Sequence, residues 1–274
     1  MPNIATPLET AKQAALQAAN TIQSYAQKGF DSETKVVDRK ELGLVTKADL
    51  QAEKTIIELV QSTFPGHSVL SEESHPDAAM DEHLWIVDPL DGTNNFAHGI
   101  PHYSVSIAYC QNGVVQAGVV VNPATGEMFW AEKGGGAWLG EKRIHVGQEQ
   151  DLNQSILATG FYYDRGQMMK ETLATIDQFF EQNIRGIRRF GSAALDLCFV
   201  ASGRFTGYFE YTLFPWDFAA GMLIVEEAGG TITDCTGQPV RLMRTDMLAS
   251  NHIIHQLMLA TTKKHFSTSP STQS

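Results

Sequence analysis

From Leu8 to Gln27, the apolar positions Leu8, Ala11, Ala15, Ala18, Ala19, Ile22 and Tyr25 fall on one face of a 3.6-residue period. That predicts an amphipathic helix with an Ala-rich packing face, which Gly29 stops. Lys35 to Leu44 is charged and aperiodic, and is expected as a solvated loop whose Lys35, Arg39 and Lys40 could alternatively approach a phosphate. A second helix follows Thr46, with Ala52, Ile56, Leu59, Val60 and Phe64 on its core side and Pro65-Gly66 at its end. His67 to Ser71 is a short strand that delivers Glu72 and Glu73, and Leu84 to Val87 is a buried one.

Beyond it, Val105, Ile107 and Tyr109 alternate with Ser104, Ser106 and Ala108, and Val114 to Val121 continues across the hairpin signal Asn112-Gly113. Asn122 to Gly126 is a turn and Glu127 to Ala131 a strand. Gly134-Gly135-Gly136 is a bend between antiparallel strands, because neither a helical pattern nor a Lys-Ser/Thr pair follows to make a nucleotide loop. Between Gly147 and Asn153 the pattern turns from strand-rich to alternating strand and helix. A domain boundary is expected there: an α+β unit over residues 1–147, an α/β unit over 148–266 and a disordered Ser/Thr/Pro tail over 267–274. In the second unit, strands are predicted at Ser155–Thr159, Phe205–Tyr211, Thr231–Asp234 and Leu248–Ser250, with a short extended piece at Arg188–Phe190. Helices are predicted at Gln167–Asn183, Gly191–Ser202, Pro215–Ala228 and His252–His265.

The chemistry concentrates where the Leu84–Val87 strand ends, in Asp88-Pro89-Leu90-Asp91-Gly92-Thr93. Pro89 keeps Asp88 extended, Gly92 lets the chain turn, and Thr93 and Asn94 open a short helix whose first amides suit an anion. Two carboxylates beside an anion-accepting turn make sense if a divalent cation joins them. Glu72 is either a ligand or a charged loop end. Asp217, in the first turn behind Pro215, is either a ligand or a helix cap. Asp49 completes a Thr-x-x-Asp capping box. His98 and His102 lack zinc-ligand spacing and are expected to be structural or to support the ligands from behind.

Four ionised acids gathered together would repel by about 4 kcal/mol per pair at 4 Å and an effective dielectric of 20. Divalent cations resolve that repulsion, and oxygen donors without His or Cys favour Mg2+, with Mn2+ as a substitute. Such a site suits phosphate monoester hydrolysis, with Glu72 and the Thr93 hydroxyl orienting and deprotonating a water. Neither a G-x-S-x-G nor a C-x5-R segment offers a covalent nucleophile. Composition narrows the partners. The 274 residues carry a formal net charge of −11, which disfavours direct contact with nucleic acid or anionic lipid. With no apolar run long enough for a membrane span, no secretory signal pattern and three scattered cysteines, a cytoplasmic location is expected.

Trp85 to Phe96, W-I-V-D-P-L-D-G-T-N-N-F, resembles the first motif of the inositol monophosphatase family, and Trp216 to Gly221 with Glu226 to Gly230 resembles its second. Leu44-Val45-Thr46 with Asp49, Ser71 to Ser74 and Gly191 to Leu197 match further family segments, so the resemblance spans about Leu8 to His265. It implies a layered α-β-α-β-α sandwich of the sugar phosphatase type, a homodimer that uses Mg2+ and is inhibited by Li+. By position, one metal would take Glu72, Asp88 and the Leu90 carbonyl, and a second Asp88, Asp91 and Asp217. A third, weaker ion would lean on Glu72. Gly92 and Thr93 would hold the phosphate, Asp91, Ala194, Glu210 and Asp217 the polyol hydroxyls, and Asp49 would support the water network with Thr93. One departure stands out: the basic residue some members carry eleven positions before the counterpart of Asp49 is Asp38 here, and Lys35, Arg39 or Lys40 could replace it. Glu210 suits a hydroxyl-rich leaving group, and Asn94 stands where branches that cleave phosphoadenosine phosphate carry Lys. Inositol 1-phosphate is the first expectation, with fructose 1,6-bisphosphate or another sugar or nucleotide phosphate as alternatives, Arg188 or Arg189 being available for a second phosphate. A non-enzymatic regulatory role on the same scaffold is the reading from another class.

Overall fold

The computed structural model describes residues 5–28, 32–37, 40–161 and 165–266, of which 32–37 and 40–44 are described by backbone alone. In chain order the elements are α1 (Pro7–Lys28), β1 (Ser32–Val37), β2 (Lys40–Thr46), α2 (Lys47–Thr63), β3 (Ser68–Ser71), β4 (His83–Asp91) and α3 (Thr93–Ala97). Then come β5 (Ser104–Gln111), β6 (Val114–Val121), β7 (Met128–Glu132), β8 (Gly136–Leu139) and β9 (Lys142–Ile144). The rest are β10 (Ile156–Thr159), α4 (Gln167–Glu181), β11 (Gly186–Arg188), α5 (Ala193–Ala201), β12 (Gly207–Leu213), α6 (Pro215–Glu227), β13 (Gly230–Thr233), β14 (Thr245–Asn251) and α7 (His255–His265).

Two sheets and three helical layers alternate, giving the α-β-α-β-α sandwich. The seven-stranded sheet runs β3-β4-β5-β6-β7-β8-β9, parallel only between β3 and β4. The five-stranded sheet runs β11-β10-β12-β14-β13. Helices α1 and α2 cover the outer face of the first sheet, where Ala11, Ala14, Ala15 and Ala18 let the backbones approach beside Ile56, Trp85 and Val119. Helices α5 and α6 lie between the sheets, in a core that takes Ile86 and Val120 from one and Tyr208 and Met247 from the other. Helices α4 and α7 close the far side over Leu157, Phe209 and Leu248. The sheets change over between Ile144 and Ile156, in the stretch where the residue pattern changes, yet one core crosses between them.

Gly118 shows how tightly α6 sits on the first sheet. A Cβ there would meet the Ala220 carbonyl oxygen at 2.8 Å. The triple glycine is the expected bend between β7 and β8, and Glu227 from α6 fastens it by accepting the N–H groups of Gly134 (2.7 Å) and Gly136 (2.8 Å). All three cysteines are free and buried.

Several expectations need correction. The charged stretch expected as a loop forms the antiparallel hairpin β1–β2, whose backbone groups pair with each other regardless of side-chain polarity. The strand implied after the triple glycine is β8, only four residues long, and β9 is a further strand of three residues that the pattern does not predict. Helix α7 starts three residues later than expected, at His255 rather than His252, because Asn251 accepts the Ile254 N–H and holds a turn ahead of the helix. Asp38, Arg39 and the tail 267–274 lie outside the described residues, as do the side chains of Lys35 and Lys40.

Candidate active site

A break in the β4–β5 ladder builds the centre of the site. Asp88 pairs with Ser106 and Asp91 with Ser104, so three steps on β4 match two on β5. Pro89 has no N–H to continue the ladder, and the extra residue makes a bulge. In an unbroken strand, residues three apart face opposite ways. Here Ser104 and Ser106 share a face of β5, and their partners Asp91 and Asp88 therefore share one too. Gly92 then turns at φ +90°, where a Cβ would press on the carbonyl oxygens of Gly191 and His102, each at 3.1 Å.

Glu72 reaches Asp88 by strand pairing. Ser71 lies opposite Val87 on the parallel β3–β4 pair, so Glu72, the first residue past β3, comes to lie beside Asp88 of β4. Asp217 arrives from the opposite half, in the first turn of α6, where its Oδ2 accepts the Phe214 N–H at 2.7 Å. It is a cap, and that bond uses one of its two carboxylate oxygens. Asp91 bridges the halves as well. Its Oδ2 accepts the Ser192 hydroxyl (2.6 Å) and the Ala194 N–H (2.8 Å) at the start of α5.

Electrostatics puts these acids in one neighbourhood. Burial raises Asp88 well above the usual carboxylate range, and the charges of Glu72, Asp91 and Asp217 add to it. Asp217 is raised in the same way by burial, Glu72 and Asp91. Asp91 is pushed up to about 6 by burial, against the hydrogen bonds from Ser192 and Ala194. Such a set of buried oxygen donors, raised chiefly by burial and further by neighbouring acids, fits a hard divalent cation. Among the described residues, though, no three His, Cys, Asp or Glu side chains form a ready-made ion-binding group as they stand.

The capping box of Asp49 is present, and it does more than cap. Oδ2 takes the Thr46 N–H (2.7 Å) and hydroxyl (2.5 Å), while Oδ1 accepts the Thr93 hydroxyl at 2.9 Å. That hydroxyl also lies 3.0 Å from the Leu90 carbonyl, so one proton serves two acceptors and the oxygen keeps lone pairs to offer. Asp49 is pushed up to about 6, chiefly by burial.

At the other end, Glu210 of β12 accepts the Tyr208 hydroxyl at 2.5 Å and is pushed up to about 8, chiefly by burial. A Cβ on Gly160 would run into its carboxyl group. Ala194 is buried, and its N–H serves Asp91. His102 is structural as expected, packed on Phe190 and Phe199 with Nε2 3.4 Å from the buried Asp196.

Residue-by-residue reading of the sequence missed the supports. Asn95 Nδ2 donates to the carbonyls of His102 (2.7 Å) and Phe190 (2.6 Å), tying α3 to the loop before α5. Ser106 Oγ donates to the Trp216 carbonyl at 3.3 Å, beside Asp217. Glu53 accepts two amides next to Glu72. Only Glu53 left a trace in the pattern, as a charge within the buried stripe of α2.

Known proteins resemble this chain in sequence and in fold. The chain matches the model of the inositol monophosphatase family over residues 4–267. It is 42% identical over 239 residues to inositol-1-monophosphatase of Caulobacter vibrioides, covering 84% of this chain and 91% of that protein. It is 41% identical over 224 residues to Nus factor SuhB of Salmonella typhimurium, covering 81% of this chain and 84% of that protein. The solved structure of extragenic suppressor protein suhB from Bartonella henselae superposes with a TM-score of 0.85 at 36% identity, covering 94% of this chain and 98% of that one.

Proposed function

The chain belongs to the inositol monophosphatase family, and from that premise we propose that it hydrolyses a phosphate monoester, with inositol 1-phosphate as the preferred substrate. The strand bulge that turns Asp88 and Asp91 to one face carries this reading, with burial and the charge of Glu72 raising Asp88, Asp91 and Asp217 alike. Glu72, Asp88, the Leu90 carbonyl, Asp91 and Asp217 would hold two to three Mg2+ ions, for which Mn2+ can substitute. Bound there, the ions would acidify a water and offset charge on the phosphoryl and leaving oxygens.

The rest falls to the chain's own groups. Gly92 and Thr93, opening α3, turn backbone N–H groups toward the phosphate. Thr93 Oγ1 can accept a proton from a water as its own passes to Asp49, whose carboxylate at about 6 is basic enough to hold it transiently. Glu72 orients the same water from the other side. No covalent intermediate is needed. Glu210, near 8, carries a proton at neutral pH and can both donate to and accept from a polyol hydroxyl. With Mg2+, phosphate release should be faster from inositol 1-phosphate than from fructose 1,6-bisphosphate or phosphoadenosine phosphate. The reverse ranking would move the protein to another branch of the family.

A second reading comes from the relatives named Nus factor SuhB: a transcription-linked role through protein partners, since the charge of −11 disfavours direct contact with RNA. Absence of Mg2+-dependent phosphate release across the substrate panel would favour it. We propose a homodimer in the cytoplasm for either reading. Among the described residues, no helix is long and apolar enough to cross a membrane.

A further inference from the structure

Helix α2 turns two acids toward the site, one turn apart: Asp49, which serves Thr93, and Glu53. Glu53 is 3% exposed, and its Oε1 accepts the backbone N–H groups of Glu73 (3.0 Å) and Ser74 (3.2 Å). These are the two amides directly after Glu72. On the other side, the Glu72 N–H donates to the Val87 carbonyl at 3.2 Å, one residue before Asp88. The Ser71 N–H donates to the His75 carbonyl at 3.2 Å and closes the turn. The segment that presents Glu72 is thus held between β4 and a side chain of α2. Charge alone would not put a further acid here, since a negative Glu53 opposes a negative Glu72. Two charge-assisted hydrogen bonds to backbone donors account for its position.

We propose that Glu53 is a positioning residue: its carboxylate clamps the turn over residues 72–75 onto α2 and so keeps Glu72 beside Asp88, where both can meet a divalent cation. This rests on the reading of Glu72 as a metal ligand. In this scheme Glu53 commits its Oε1 to the two amides and acts through the turn, not as a ligand. Helix α2 then sets two parts of the site at once, the Thr93 hydroxyl through Asp49 and the Glu72 carboxylate through Glu53. Residues that orient a ligand in this way typically change metal affinity by about 10- to 100-fold when altered.

The test uses Mn2+ alone, titrated without substrate into the full chain while the free ion is followed by its paramagnetic resonance signal. The proteins are wild type, Glu53→Gln, Glu53→Asp and Glu72→Gln. Hydrogen exchange at the amides of residues 72–75 is measured in parallel on the metal-free proteins. Gln keeps an acceptor oxygen at the same reach, so Glu53→Gln should bind Mn2+ within about threefold of wild type. Asp keeps the charge but is one methylene short, so Glu53→Asp should bind about 10- to 100-fold more weakly, with faster exchange at Glu73 and Ser74. If Glu72→Gln weakens binding while both Glu53 variants match wild type, the proposal fails and the metal reading stands. A weak Gln variant beside a normal Asp variant would also overturn it, by showing that Glu53 acts through charge. If Glu72→Gln binds Mn2+ like wild type, the assignment of Glu72 has failed, and the proposal falls with it.

Discussion

Replacing Asp91 by Asn should stabilise the metal-free protein and destroy its response to metal. The Asp91 carboxyl is pushed from 3.8 to about 6 in the fold. Two units at 1.36 kcal/mol each mean that keeping it ionised at neutral pH costs about 3 kcal/mol. An Asn oxygen can still accept from Ser192 and Ala194, which both bond to a single carboxylate oxygen. Those bonds favour the charged form and are already included in the value of about 6, so the net gain stays at roughly 3 kcal/mol. In a chain this size that raises the melting temperature by about 4–6 °C.

The pH dependence follows from the direction of the shift. Between 3.8 and about 6 the folded protein binds more protons at Asp91 than the unfolded chain, so wild type gains stability as pH falls through that window. The advantage of Asp91→Asn should therefore be full above about pH 6 and vanish near pH 4. With Mg2+ at 1,000 times its dissociation constant, wild type gains about 4.1 kcal/mol, and the order of the two proteins inverts. Thermal melts in EDTA and in Mg2+, at several pH values, read all of this. A variant that melts at or below wild type in EDTA at pH 7.5 would refute the reasoning and make the Asp91 charge a structural asset.

Thr93→Val keeps the shape but removes the hydroxyl between Asp49 and Leu90. Phosphate release should fall by about 100-fold or more while the melting temperature stays within a few degrees; activity within a few-fold of wild type would remove Thr93 from water activation. Asp217→Asn still accepts from the Phe214 N–H, so the fold should survive while most activity and metal affinity are lost. Near-normal turnover at saturating Mg2+ would reduce Asp217 to a helix cap. His255 lies buried between the hydroxyls of Thr233 (3.1 Å) and Ser250 (2.9 Å), and burial lowers it to about 4. The unfolded chain binds the extra proton between 4 and 6.5, so this group withdraws up to about 3 kcal/mol of stability as pH falls through that window. Denaturant melts of His255→Gln should lack that loss, and an identical acid limb would exclude His255 as its source.

The chain's pattern made most elements legible because their burial is one-sided and long enough to repeat. Helix α1 and strands β5 and β6 are of that kind. The β1–β2 hairpin was not, since two strands that pair mainly with each other need no alternation of polarity. Strands β8 and β9 are too short to show a period. At the site, Asp88, Asp91 and Thr93 could be read locally because Pro89 and Gly92 declare the geometry around them. Glu72 could not, because its place depends on the Ser71–Val87 register, which nothing near Glu72 encodes. The hold of Ser192 and Ala194 on Asp91 spans about 100 residues and is invisible to any window.

How the acids survive together before any cation arrives is a question of backbone orientation. Asp49 lies in the first turn of α2 and Asp217 in that of α6, and Asp91 accepts the Ala194 N–H at the start of α5. Three helices thus each set an N-terminal end, carrying roughly half a positive charge, against one acid of the site. Each end is worth about 0.3–1 kcal/mol, so together they supply at most about 3 kcal/mol. A single pair of ionised acids 4 Å apart at a dielectric of 20 repels by about 4 kcal/mol, and four acids make six pairs. The helices lessen the repulsion without cancelling it, and burial, the larger cause, keeps Asp88, Asp91 and Asp217 raised with the neighbouring acids adding to it. A layered sandwich with α5 and α6 between its sheets therefore tolerates the acid cluster and still leaves it short of positive charge, the condition under which a divalent cation binds.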